Sequence, residues 1–177
     1  EAVRGVKVSV GAPFFNRMTV PLCVALLFLV GVGPALPWRG IQPGALARNL
    51  LVPSVGGLAA ALGSVLLLGV RDVYAVLAFG FAAFALLANA REFVEGTRAR
   101  RRATGESWPL ALARLVRANR HRYGGYIAHV GVISIAIGIA ASSTFKQERE
   151  ATLRPGEAVE IGSFAVRFER LWAREEP

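Results

Sequence analysis

The chain has 177 residues, of which 54% are apolar and only 19% charged, yet 21 Lys and Arg stand against 12 Asp and Glu for a net charge of +9. The mean hydropathy is +0.44. An ordinary soluble domain is excluded, because so few polar residues cannot cover so much apolar surface; the greasy and basic characters must occupy separate segments, as they do in membrane proteins.

In chain order, residues 1–17 form an arm of net charge +2 in which Val6, Val8 and Val10 alternate as in a short strand. Gly5 and Gly11 do not make a dinucleotide fingerprint, since no strand, glycine loop and helix surround them. The chain starts at Glu1 rather than Met, and no charged n-region precedes an apolar h-region, so no signal peptide is read and both ends are expected to be cut from a longer chain. Residues 18–37 carry no charge and are long enough to cross a bilayer. The single cysteine, Cys23, lies there; it excludes an intrachain disulfide and reads as a small packing residue. Residues 51–70 form a second uncharged span, and residues 73–90 a third whose only strongly polar member is Asn89. Arg71 and Asp72 alone separate these two, which predicts a tight helical hairpin. Gly56, Ala60 and Ser64 recur every four residues in the second span and predict close helix packing. Pro21, Pro34 and Pro53 are expected within about a turn of span ends, where proline costs least.

Residues 91–122 hold nine Arg and three acids. By the positive-inside rule this loop is cytoplasmic. Ser107 predicts the cap of a basic interfacial helix over residues 108–121, with Trp108, Leu112, Leu115 and Val116 on one face and Arg114, Arg117 and His121 on another, lying on anionic lipid. The run of Arg98, Arg100, Arg101 and Arg102 beside a span reads as topology and lipid contact rather than nucleic-acid binding. Residues 123–145 form the fourth span, with a second small-residue stripe at Gly131, Ser134, Gly138 and Ser142. Trp38, Trp108 and Tyr123 read as interfacial anchors. Both ends of the chain then lie outside the cytoplasm. The tail, residues 146–177, reads as β: Pro155 and Gly156 mark a turn between residues 150–153 and 159–161, and Phe164, Val166 and Phe168 alternate with Ala165, Arg167 and Glu169 to give one buried and one wet face. The tail strand has no partner after it, and the arm of residues 1–17 is a candidate to pair with it. The fold class is a membrane all-α protein with four transmembrane helices in this fragment and a truncated extracytoplasmic β segment. Its parts are the arm 1–17, three spans in 18–90, the basic loop 91–122, the fourth span 123–145 and the tail 146–177.

Ionisable side chains within the spans are nearly absent, which singles out His129. It lies on the face of Gly125, Tyr126, Val132, Ile133 and Ala136, away from the Gly131 stripe. Three readings are open on the residues alone: a neutral histidine hydrogen-bonded to a neighbouring helix, a proton relay, and a haem or metal ligand. Gly125, one turn away, leaves the room that a porphyrin plane needs. His121, beside Arg120 and Arg122, reads as a solvated interfacial residue.

Four ordered motifs carry a resemblance: Val8-Ser-Val-Gly-Ala-Pro-Phe-Phe-Asn-Arg-Met-Thr-Val-Pro21, Gly31-Val-Gly-Pro-Ala-Leu-Pro-Trp38, Tyr123-Gly-Gly-Tyr-Ile-Ala-His129-Val-Gly, and Ser143-Thr-Phe-Lys-Gln-Glu-Arg-Glu150. Together they resemble the C-terminal part of CcmF, the haem lyase subunit of the bacterial cytochrome c maturation system, over nearly the whole chain. The resemblance implies a polytopic protein of the bacterial inner membrane that takes haem from the chaperone CcmE. It implies covalent attachment of that haem to the CxxCH thiols of an apocytochrome c, with a CcmH-type thiol-handling subunit as a further partner. It also implies a structural haem b held by two intramembrane histidines, and His129 matches the second of them as a ligand of the haem iron. Haem thus enters both as cofactor and as transferred substrate. The tryptophan-rich segment that cradles substrate haem in the family is absent; Trp38, Trp108 and Trp172 are isolated. That segment, the other intramembrane histidine and the two external histidines are expected upstream of Glu1, so no catalytic residue is assigned here and the fragment alone is expected to be inactive. The alternative is a haem transporter or assembly scaffold without lyase chemistry of its own.

Overall fold

A computed structural model describes residues 12–36, 43–146, 148 and 151–170. The arm at residues 1–11, Trp38 and Trp172 lie outside them, so the pairing expected of the arm does too. The described chain falls into two compact units, residues 1–144 and 145–177.

The first unit is helical: α1 (Ala12–Ala35), α2 (Pro43–Leu66), α3 (Val73–Thr104), α4 (Trp108–Ala118) and α5 (Arg120–Phe145), the last continuing into the second unit. Four of these, α1, α2, α3 and α5, are long and apolar enough to cross a membrane. The α2–α3 hairpin forms as expected. Gly69 adopts a positive φ of 66°, which ends the helical path, and Asp72 caps α3 by accepting from the Ala75 N–H at 2.8 Å.

Close backbone approach fixes how α1 and α2 meet α3. A Cβ added at Gly57 of α2 would lie 2.8 Å from the Gly80 carbonyl oxygen and 2.9 Å from Phe84 Cβ. One added at Gly31 of α1 would lie 2.9 Å from the Ala85 Cα. The small side that packs most tightly on α2 is thus Gly57 with Ala61, one residue round from the Gly56–Ala60–Ser64 stripe of the sequence reading. Phe28 of α1 packs its ring on Phe81 and Phe84 at centroid distances of 5.1 and 5.7 Å. The Gly131–Ser142 stripe of α5 corrects the expectation more strongly: Gly131 and Gly138 face open space among the described residues, and α5 instead packs through large side chains. Ile133 is fully buried with Leu27, Ala82 and Ala85. Cys23 is exposed on the outer side of α1 rather than packed between helices.

Two prolines lie inside α1, Pro21 and Pro34, and Pro53 lies ten residues into α2, a whole segment deeper than the sequence reading placed it. A proline at that depth leaves the carbonyl four residues earlier, that of Asn49, without a helical donor. Arg91 of α3 supplies one: its Nη1 donates to the Asn49 and Arg48 carbonyls at 2.9 Å each, and its Nη2 donates to Asn49 Oδ1 at 2.9 Å.

The basic loop is mostly helix. α3 runs 32 residues, about 48 Å at about 1.5 Å per residue, well past the roughly 30 Å hydrocarbon core. Gly105, at φ 71°, ends it with its N–H on the Arg101 carbonyl. α4 then folds back, with Ala111 fully buried and Leu115 beside Gly96, so part of its apolar face rests on α3. Ser107 stands at the N-cap position but makes no side-chain cap bond, and the helix breaks at Asn119, which puts His121 on α5. Glu106 ties the turn together, bonded to Arg100 at 2.9 Å and to Arg114 at 2.5 Å, with its side chain only 11% exposed. The Arg100 hydrogen bond, with Arg114 adding to it, holds the Glu106 carboxyl down at about 2, against an ordinary value of 4.5. Because the folded value is depressed, the clamp stabilises the turn above pH 4.5 and is lost as pH falls from there towards 2. Amide exchange of residues 105–111 is expected to accelerate across that acid window, and Glu106→Gln to make it fast at neutral pH as well. A flat profile in the parent protein would remove the clamp from the account.

The second unit contains an antiparallel hairpin of β1 (Ala158–Ile161) and β2 (Phe164–Arg167), with Val159 opposite Val166. Its two-residue loop is Gly162-Ser163, Gly162 taking a φ of 62°. The hairpin turn is therefore not at Pro155-Gly156. That turn instead closes the open end of the ribbon, where the Gly156 N–H donates to the Phe168 carbonyl at 2.7 Å. The strand over residues 150–153 is not formed among the described residues 151–153. β2 does have a partner strand, but its alternation does not produce a buried face: Phe164 is 76% and Val166 51% exposed.

Candidate functional site

The foot of α5 is held on α3 by charge and aromatic rings. Arg122 Nη2 donates to Glu92 Oε2 at 2.6 Å and its Nε donates to the Tyr126 hydroxyl at 3.1 Å, while that hydroxyl donates to Glu92 at 3.3 Å. The Phe93 ring meets Tyr123 at 5.1 Å and Tyr126 at 6.1 Å. Tyr123 is 3% exposed and packs its hydroxyl end on Gly96; it is a core residue, not the interfacial anchor its position in the sequence implied. These contacts fix the rotation of α5 about its axis, because Tyr123, Tyr126 and Ile133 must all face inward.

That rotation sets His129. Its ring lies 6.5 Å from the Tyr126 ring, centroid to centroid. The side chain is half-buried, and Nδ1 is fully buried with no hydrogen-bond partner. An imidazole nitrogen left so in an apolar setting costs roughly 1–3 kcal/mol, so it calls for a hydrogen-bond partner. Beside it the surface is smooth and apolar: Gly125, one turn away, has open space where a Cβ would be, and Val132 is exposed. Two shallow grooves, of about 340 and 350 Å³, lie between other helices, and neither is lined by His129. The site is a helix face, not a pocket. His121, the other histidine, is exposed in the first turn of α5, eight residues and roughly 12 Å of helix away, so the two imidazoles do not converge. No cluster of three or more His, Cys, Asp or Glu with metal-binding spacing occurs among the described residues.

The residues present would suit a single ligand position on a haem iron. A neutral imidazole on an apolar face, with a glycine flank open to a flat ring, is what such a position requires. Sequence reasoning singled out His129 and Gly125 but not Phe93 and Glu92, whose contacts depend on how α3 and α5 align. Asn89, noted only as a polar exception, is fully buried with its Oδ1 unpartnered.

Four helices long and apolar enough to span define a multi-pass membrane protein. The chain is 34% identical over 180 residues to the cytochrome c-type biogenesis protein CcmF of Pseudomonas aeruginosa, covering all of this chain and 26% of that protein. It is 33% identical to the cytochrome c-type biogenesis protein CycK of Rhizobium meliloti, over 97% of this chain and 25% of the relative. With CcmF of Escherichia coli it shares 29%, over 91% of this chain and 23% of the relative. No protein-family model matches the chain, and no solved structure does. The chain belongs to the CcmF family of cytochrome c-type biogenesis proteins, as a C-terminal part. It spans about a quarter of the length of these relatives.

Proposed function

We propose that the chain serves cytochrome c maturation as the C-terminal part of a membrane haem lyase, with His129 an axial ligand of a structural haem b. The whole protein takes haem from the chaperone CcmE and attaches it to the CxxCH thiols of an apocytochrome c, in concert with a CcmH-type subunit. The observation that carries the ligand assignment is a lone, half-buried imidazole on an apolar helix face, beside the open flank of Gly125. Bound there, haem b would supply a low-spin electron-transfer site that keeps the substrate haem iron reduced. The chain's own residues do the holding. The Arg122–Glu92–Tyr126 network and the Phe93 ring stack orient α5, and Tyr126 and Ile133 bracket His129 so that it keeps one face. Within this chain His129 would hold the iron, and any further ligand would be supplied by a part of the protein outside it.

The location is the bacterial inner membrane. α4 has 11 residues and is too short to cross, so the Arg-rich end of α3 and all of α4 stay on one side, the cytoplasmic one. Both ends of the chain then lie on the other side. Basic residues on α4 that are left exposed, such as Arg117, lie at the level of anionic lipid headgroups.

The test is spectroscopic. In the full-length protein, His129→Ala is expected to abolish the reduced b-type absorption spectrum while leaving the protein in the membrane, and free imidazole is expected to restore part of it. A wild-type spectrum in the alanine variant sinks the ligand assignment.

A further inference from the structure

Two buried polar atoms at the middle of the α3–α5 seam have no partner: Nδ1 of His129 and Oδ1 of Asn89. Their chemistry is complementary. The Asn89 amide is already oriented, because its Nδ2 donates to the Ala85 carbonyl at 2.8 Å, which leaves Oδ1 as an acceptor without a donor. A neutral imidazole with its proton on Nδ1 is a donor without an acceptor.

Contacts on either side set the two residues at one level. Towards the foot of α5, Phe93 meets Tyr126 and Tyr123. In the opposite direction, Ala85 and Ala82 share a buried cluster with Ile133. Asn89 is four residues from both Ala85 and Phe93, so it lies on their face of α3, one turn from each. His129 is three residues after Tyr126 and four before Ile133, so it too stands one turn from each. The contacts above and below this level point to Asn89 as the α3 residue that faces His129. Both helices hold their inward faces through the fully buried Ile133, Ala85 and Asn89.

We propose that Asn89 is a positioning residue for His129: its Oδ1 accepts the Nδ1 proton, fixes the imidazole in one tautomer and leaves the lone pair on Nε2 for the iron. The proposal rests on the haem-ligand reading above and adds the group that orients the ligand. Metal-bound histidines commonly donate their other ring N–H to such an acceptor, and the strength of that bond sets how much electron density the ligand gives the metal. A stronger acceptor makes the imidazole more basic and favours ferric iron; losing the acceptor favours ferrous iron.

The experiment is a spectroelectrochemical titration of the full-length protein purified with its haem b. Asn89→Leu is expected to raise the midpoint potential, and Asn89→Asp, a near-isosteric and stronger acceptor, to lower it, both with the six-coordinate b-type spectrum retained. Opposite shifts from the two substitutions are a signature that a general loosening of the helix seam does not produce. If Asn89→Leu does not accumulate, Asn89→Asp decides alone. Wild-type potentials in the variants, or shifts of the same sign in both, overturn the proposal while leaving the ligand assignment standing. Retention of the b-type spectrum in His129→Ala overturns both.

Discussion

Arg91→Met in the full-length protein is expected to lower unfolding stability by about 2–3 kcal/mol, the range for hydrogen bonds made by a charged donor to groups that are otherwise left unsatisfied. Its guanidinium serves Asn49 and Arg48 of the neighbouring helix, and also bonds Glu95 on its own helix at 2.5 Å. The Asn49 carbonyl depends on it most, because Pro53 has no N–H to give. This yields a sharper test than the single substitution. Pro53→Ala restores a helical donor to Asn49, so in that background Arg91→Met is expected to cost roughly half as much, a coupling of about 1 kcal/mol or more. Denaturant titration of the four proteins in mixed micelles measures it. Strictly additive costs would show that the proline and the arginine act separately.

Gly57→Val is expected to be the most damaging single change on the α2–α3 face. Its new Cβ meets the Gly80 carbonyl oxygen at 2.8 Å and Phe84 Cβ at 2.9 Å, and a backbone carbonyl cannot rotate away. The helices must part, at a cost of about 1–3 kcal/mol for overpacking, with close contacts along the hairpin lost as well. Gly56→Ala, one residue along, is the control: its Cβ meets only the end of the Leu87 side chain, which can take another rotamer, so a change well under about 1 kcal/mol is expected. Equal losses of stability in the two variants would rule out the carbonyl contact as the cause.

The spans were legible because each is a run of apolar residues with no competing pattern. The end of α3 was not. Charge at Arg91 and beyond marks where a chain leaves the hydrocarbon, which is not where its helix ends. Arg, Ala and Glu are good helix formers, and the single Gly96 among them does not stop the helix, which continues into water as far as Gly105. The hairpin in the second unit was misplaced for a related reason. Pro155-Gly156 is the more conspicuous turn signal, but a two-residue loop with glycine first, Gly162-Ser163, joins the paired strands directly. Of the site, His129 and its glycine flank could be read from one helix alone. The buried state of its Nδ1 and the alignment with Asn89 could not, since they depend on the register between two helices separated by a turn, α4 and a break.

α3 meets α1, α2 and α4 along its length and α5 through the Phe93 and Ile133 contacts. This has a consequence for biosynthesis. The chain is made from its N-terminus, so α1 emerges before the helix it packs on exists, and it must wait in lipid while α2 and the turn are completed. The α2–α3 hairpin can then enter as one piece, giving α1 its docking surface. α5 is made last, so the surface that carries His129 can be assembled only on a scaffold already in place. Completion of the His129 face is thereby confined to a late stage of synthesis, after every other spanning helix of this chain has found its neighbour.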